Sequence, residues 1–398
     1  MATTPTPRRD TRIDVFRALA LITIFVNHIP GNVFEHLTHK NFGFSDAAEA
    51  FVLISGLAAG LAYGTRFVPG SRLILSLKAM RRAAVLYITH IVTTVATLAI
   101  FAAGAIWFAQ PKLLELINIG TVVNDVPHAL VGLATLGHQL GYNNILPMYA
   151  AVLLLVPGFL LLGRISLSLM LAVSGAVWLV AGLWHIAPPN YPTPGVWFLN
   201  PLSWQFLFVI GVASTLHVKR GGEIPFSLPL YVASAGYVLL SLLWVRGSWW
   251  GLETSTGLPV LLSGFDKTFL SLPRLLHVLA LAYLIAAVPL VSNLARLDLR
   301  SPLAILGKHS LPVFVAGTLL AMVGQVLTTA YPQKGAFFDV TLIGTGLALQ
   351  FALAFWLEFL PTIGWGGKPV VQASPRPTPA PGLSAQPAPL PAIATMAL

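Results

Sequence analysis

The chain has no cysteine and very little charge: among 398 residues, 9% are Asp, Glu, Lys or Arg. The first absence excludes disulfides, thiolate nucleophiles and thiolate metal sites, and says little about compartment. The second excludes an ordinary soluble domain, in which about 25% of residues are charged. There is also no Walker-type Gly-rich loop, no His/Glu zinc motif and no Gly-x-Ser-x-Gly elbow. No internal repeat stands out, nothing points to nucleic acid, and neither a metal site nor a resident cofactor is expected.

What is present is apolar. Hydrophobic residues make up 56% of the chain and the mean hydropathy is +0.80. The composition predicts an all-α polytopic membrane protein, one helical bundle rather than several soluble domains. Residues 1–12 read as a basic tail carrying Arg8, Arg9 and Arg12, residues 13–362 as the membrane domain, and residues 371–398 as a Pro/Ala-rich tail unable to build a core. About ten spans are expected, near 13–29, 46–64, 83–108, 145–162, 165–185, 201–217, 228–245, 273–291, 302–328 and 340–359. The first reads as a retained span, since it is full length, interrupted by Arg17 and without a small-x-small cleavage site. Residues 109–145 are too polar to span, and 111–140 suit an interfacial or re-entrant helix on the outside. With both ends inside, fifteen Lys/Arg fall on the cytoplasmic side. Six fall outside: Lys40, Lys112, Arg246, Lys267, Arg274 and Lys334. That asymmetry fixes an N-in, C-in orientation.

The first span, IDVFRALALITIFVNHI, carries Asp14, Arg17, Asn27 and His28. An Arg at membrane depth costs about 2.5–3.5 kcal/mol, and such groups persist where they face a bundle interior or a wet cavity. At about 100° and 1.5 Å per residue, Arg17 and His28 fall within about 20° of one face and stand about 16 Å apart along it. Asp14 is placed for an i,i+3 ion pair with Arg17. The blander reading is one snorkelling Arg and one His at a helix end. Asp46 and Glu49 open the second span, where acidic groups suit a helix N-terminus. The short loop before them would also bring them level with His28, where a carboxylate can orient an imidazole. Ser55-Gly56, deeper in that span, suits close helix packing.

The basic stretch with Arg66, Lys78, Arg81 and Arg82 has two readings. It sets topology and meets anionic lipid, or it clamps a phosphorylated donor. Arg274 and His277, an i,i+3 pair, together with Trp197, Asn200, Trp204 and Gln205, would give the outer face groups suited to a sugar or carboxylate ligand. The alternative there is an interfacial aromatic belt with a snorkelling Arg. Lys308, His309 and Ser310 stand just inside the ninth expected span, where a Lys near a helix end can reach the headgroups.

The pattern Asp14-x-x-Arg17, ten residues, His28 is similar to the first-helix signature of the acyltransferase-3 family, and FVLISG at 51–56 resembles that family's Ser-Gly motif. More closely, FRALALITIFVNHIPGNVFEHLTHKNFGFSDAAEAFVLISG resembles the OpgC family. So, in the same order, do RRAAVLYITHI, NILPMYAAVLLLVP, WFLNPLSWQFLFVIG, LPRLLHVLALAYL and LGKHSLPVF. The resemblance implies a bacterial inner-membrane enzyme that moves an acyl group, succinyl in OpgC proper, from cytoplasmic acyl-CoA to a hydroxyl of a periplasmic glycan. Carried over, His28 is the catalytic histidine, as general base or acyl carrier, and Arg17 the arginine beside the donor. Asp14, Glu49 and Ser55 match motif positions, and Asp46 or Glu49 would orient His28. Ser55, Arg66, Lys78, Arg81 and Arg82 would face the donor. One departure is that many acyltransferase-3 proteins have a His where Ala316-Gly317 stands here, which puts a second-histidine mechanism in doubt. The rival class is a transporter or flippase using the same polar seam as a solute path.

Overall fold

The computed structural model describes residues 10–363, so Arg8, Arg9 and the expected tail at 371–398 lie outside the described residues. The described chain is helical and has no strand. Its helices are α1 Arg12–Asn27, α2 Ala47–Ala62, α3 Arg72–Trp107, α4 Ile119–Asn124, α5 Val126–Ala134, α6 Ile145–Ile165, α7 Leu167–Leu183 and α8 Pro201–Lys219. Then follow α9 Leu228–Arg246, α10 Val260–Ser263, α11 Leu272–Ala287, α12 Pro289–Leu294, α13 Pro302–Lys308, α14 Ser310–Ala330 and α15 Ala336–Phe359. By length and composition, seven helical segments among the described residues can cross a membrane: Ala47–Arg66, Arg72–Trp107, Ile145–Ile165, Pro201–Lys219, Leu228–Arg246, Ser310–Ala330 and Ala336–Ile363. The other three expected spans correspond to α1, α7 and α11, which are helical but shorter. The polar stretch after α3 is bent by 107° between Pro111–Asn124 and Val126–Ala134 rather than running straight. Residues 358–363, the end of α15 and a 3₁₀ turn, form part of a second compact unit.

Three elements differ from the sequence expectation, each for a local reason. α3 starts at Arg72, not 83, because nothing between them breaks a helix, while Gly70 with φ 87° ends the preceding turn. Lys78, Arg81 and Arg82 therefore stand on helix rather than loop. The expected eighth span stops at Ala287, since Val288 before Pro289 is forced extended (φ −101°, ψ 101°). The expected ninth span divides at His309, which leaves helical geometry (φ −95°, ψ 37°) between α13 and α14.

In the bundle, α2 packs on α8 and α1, α1 on α13 and α14, and α3 on α6 and α14. Glycines permit the closest crossings. A Cβ at Gly56 would stand 2.1 Å from the Phe208 carbonyl oxygen, and one at Gly211 2.5 Å from that of Leu53. A Cβ at Gly307 would stand 1.8 Å from the Asp14 carbonyl oxygen, so α13 lies directly against α1. These neighbours are backbone and cannot swing aside. Gly56→Val is therefore expected to destabilise the protein by about 1–3 kcal/mol through overpacking. The check is the thermal midpoint and monodisperse yield in detergent, and an unchanged midpoint would contradict the crossing.

Candidate active site

Arg17 is held by its own helix and by the end of another. Its Nη1 lies 3.3 Å from Asp14 Oδ1, the expected i,i+3 pair, and 3.5 Å from the Gly307 carbonyl oxygen. That carbonyl belongs to the last turn of α13, where the helix dipole favours a cation. Pairing explains why a guanidinium is tolerated there. Arg17 lines a cleft of about 210 Å³ together with Ser55 and Tyr63, Arg82 of α3, Tyr149 of α6, and Ser310 of α14. Phe51, Leu86, Ile145 and Phe314 supply apolar wall. Two cations, two phenols and two hydroxyls thus meet on a mostly greasy surface. The structure brings Arg17, Ser55 and Arg82 to one cleft. Arg66, Lys78 and Arg81 are exposed and outside this cleft.

One helical turn further along each wall, polar groups continue. Beyond Leu86 comes His90; beyond Phe314 comes Thr318; before Ile145 come Asn143 and Tyr142. His90, Thr94, Asn143 and Thr318 are all buried. Neither nitrogen of His90 has a hydrogen-bond partner, nor have Thr94 Oγ1, Asn143 Oδ1 and Thr318 Oγ1. Asn143 Nδ2 donates to Thr97 Oγ1 at 3.0 Å, and its backbone lies beside the His90 ring. Sequence reasoning missed this group, although its signal was present. His90, Thr93, Thr94 and Thr97 form a polar stripe at i, i+3, i+4 and i+7 in an apolar helix, the spacing that usually marks a core face.

The seam reaches His28 through Tyr142. The two rings stack with centroids 4.4 Å apart and planes 21° apart. His28 follows directly after α1 and is half-buried; its carbonyl accepts from Gln325 Nε2 at 2.7 Å, while its Nδ1 has no partner. The imidazole is therefore positioned by stacking and by its backbone, with a nitrogen left uncommitted.

The expected carboxylate partners of His28 go elsewhere, which corrects the sequence reading. Asp46 caps α2 by accepting from Ala48 N, and Glu49 completes the capping box. Both are then drawn to cations from distant sequence: Arg274 Nε donates to Glu49 Oε1 at 2.7 Å, and Lys267 pairs with Asp46. Glu49 is completely buried, and an unpaired charge there would cost several kcal/mol, so Arg274 is the partner burial demands.

The expected acceptor-binding residues are likewise engaged in the fold. Arg274 is committed to Glu49 and Asp46. His277 Nδ1 meets the Ser45 hydroxyl at 2.7 Å, and its ring fills the space left by Gly43. Asn200 caps α8, Trp204 Nε1 donates to the Lys267 carbonyl at 3.0 Å, and Gln205 is bonded to Ser174. Trp197 is buried too. Arg274, Asn200, Trp204 and Gln205 thus have partners inside the protein, while His277 bonds through Nδ1 alone. Among the described residues, no group of His, Asp and Glu is arranged to hold a metal ion.

A model of the OpgC protein family matches residues 9–361, nearly the whole described chain. No curated protein and no solved structure matches.

Proposed function

Given that this chain belongs to the OpgC family, we propose that it is an inner-membrane O-acyltransferase that moves an acyl group from cytoplasmic acyl-CoA to a hydroxyl of a periplasmic glucan. The proposed acyl group is succinyl, and the chain is proposed to cross the bacterial inner membrane ten times with both termini inside. The observation carrying this reading is the cleft holding Arg17, Ser55 and Arg82, continued by a buried polar seam to His28. A transporter reading needs no uncommitted imidazole at the far end of such a seam.

In this reading the donor enters from the side of Arg82 and Tyr63. At about 210 Å³ the cleft is smaller than the roughly 300–1,000 Å³ of sites that enclose drug-sized ligands. It would therefore take only the narrow thioester arm, leaving the nucleotide end of coenzyme A outside near the exposed Arg66, Lys78 and Arg81. Arg17 and Arg82 hold polar atoms of that arm by charge-assisted hydrogen bonds. His28 accepts the proton of the acceptor hydroxyl as its oxygen attacks the thioester carbonyl. Attack by His28 itself, giving an acyl-imidazole that the acceptor then resolves, uses the same side chain. Asp14 keeps Arg17 in place; Asp46 and Glu49 act one step away, fixing the start of α2 against α11.

The test is thioester consumption. Membranes containing the protein are expected to release free coenzyme A from succinyl-CoA only when glucan is supplied, in one-to-one proportion with ester formed. Solute movement without thioester cleavage would replace this reading with the transporter.

A further inference from the structure

We propose that the cleft is a phosphate site: Arg17 and Arg82 hold the phosphate that heads a phosphopantetheine arm, so that this arm, and not the nucleotide, is what the protein recognises in its donor. This rests on the acyl-transfer reading above. Arg17 and Arg82 line the cleft with Ser55, Tyr63, Tyr149 and Ser310, and no carboxylate is among the lining residues. Asp14 answers Arg17 from its own helix. Arg82 makes no ion pair and no hydrogen bond among the described residues. Both guanidiniums act electrostatically on one phenol, that of Tyr149, whose hydroxyl bonds Ser55; Arg82 acts on Tyr63 as well. Two cations converging on a small cleft repel each other, and every other polar side chain on its wall can donate a hydrogen bond. An anion with several oxygens satisfies that set, whereas a neutral amide leaves the repulsion in place.

Length selects which phosphate. Along α1, Arg17 and His28 stand about 16 Å apart. A 4′-phosphopantetheine arm has about thirteen bonds between phosphorus and sulfur, and at the reach of an extended chain, three bonds to about 3.6 Å, it spans about 16 Å. A phosphate held by Arg17 and Arg82 therefore delivers the thioester to the depth of His28, whose Nδ1 is uncommitted. A lipid phosphate at the same place delivers nothing there. The walls beyond the cleft suit the arm. Thr318 follows Phe314 by one turn and Asn143 precedes Ile145, both buried, with Thr318 Oγ1 and Asn143 Oδ1 unpaired. The arm carries two amides, whose N–H groups need acceptors in an apolar passage. Arg66, Lys78 and Arg81 are exposed, where solvent screens what they offer a nucleotide. Coenzyme A and the modified serine of a carrier protein present the same phosphate and the same arm.

The test is kcat/KM for a series of succinyl donors, with the full chain in detergent and glucan as acceptor. The donors are the coenzyme A thioester, the phosphopantetheine thioester without the nucleotide, the pantetheine thioester without the phosphate, and the thioester of a phosphopantetheine-bearing carrier protein. Removing the nucleotide is expected to cost less than about tenfold, as for exposed charges. Removing the phosphate is expected to cost a further factor of about 10², the effect of truncating a partly buried charged pair. Arg82→Gln is expected to slow the phosphopantetheine donor by about 10²-fold and the pantetheine donor far less. The ratio of those two losses does not depend on how much variant folds, so it separates phosphate binding from a structural role. Carrier-protein turnover at or above the coenzyme A rate supports the site with a carrier protein as its source; turnover of coenzyme A alone supports it with coenzyme A. A nucleotide effect larger than the phosphate effect would overturn the proposal. So would equal losses with both donors in Arg82→Gln, the result a lipid phosphate bound at Arg82 gives. If the wild-type protein shows no acceptor-dependent cleavage of any donor, the acyl-transfer reading fails instead.

Discussion

His28→Ala is expected to reduce acyl transfer by about 10²–10⁴-fold, the contribution of a positioned acid–base group, while the protein still inserts and folds. The local structure explains why the two effects separate. What holds this position in place is backbone: the Gln325 amide bonds the His28 carbonyl, and the end of α1 is closed by the His28 N–H reaching the Ile24 carbonyl at 3.0 Å. Alanine retains both. The ring contributes a stacking contact with Tyr142 and an Nδ1 that bonds nothing, so its removal breaks no hydrogen bond at that nitrogen. The measurement is initial-rate ester formation per mole of monodisperse protein. A variant within tenfold of the wild type would remove His28 from the chemistry.

Arg17→Lys is expected to lower kcat/KM for the acyl-CoA donor by about 10²-fold, equivalent to about 2.7 kcal/mol of transition-state stabilisation, with the acceptor KM unchanged. Lysine preserves the positive charge beside Asp14, so the ion pair that makes this depth tolerable survives in altered form. It loses the planar fork that lets a guanidinium bond Asp14, the Gly307 carbonyl and a ligand at once. A loss concentrated in the donor KM and kcat locates the donor in the cleft. A rise in acceptor KM with donor kinetics intact would assign the cleft to the other substrate.

Charges inside an apolar run were informative in the sequence because they are costly there. That logic points to Arg17 with its Asp14 partner, whereas Arg82 belongs to a basic stretch with two readings and Ser55 suits close packing until the family resemblance sets both beside a donor. It located His28, but not its surroundings, since Tyr142 and Gln325 come from segments more than a hundred residues away. The partners of Asp46 and Glu49 were hidden for the same reason. Helical periodicity relates residues a turn or two apart, and Arg274 is 225 residues from Glu49. Asn200, Trp204 and Gln205 mislead by type: polar side chains near a helix start suit a ligand, and equally suit the caps and cross-bonds they make here. His90 was overlooked because a single histidine in a long apolar helix carries no mark of being unpaired; only its neighbours' positions reveal that.

α3 runs unbroken for 36 residues, about 54 Å at 1.5 Å per residue, well beyond the roughly 30 Å of bilayer hydrocarbon. Arg82 and His90 are mounted on this one rod, about 12 Å apart by the same rise. Their separation cannot stretch or shrink to suit a guest. If the guanidinium grips the arm of the donor, the rod acts as a ruler. It admits donors by the span between gripping point and cleavable bond, whatever acyl group they bear.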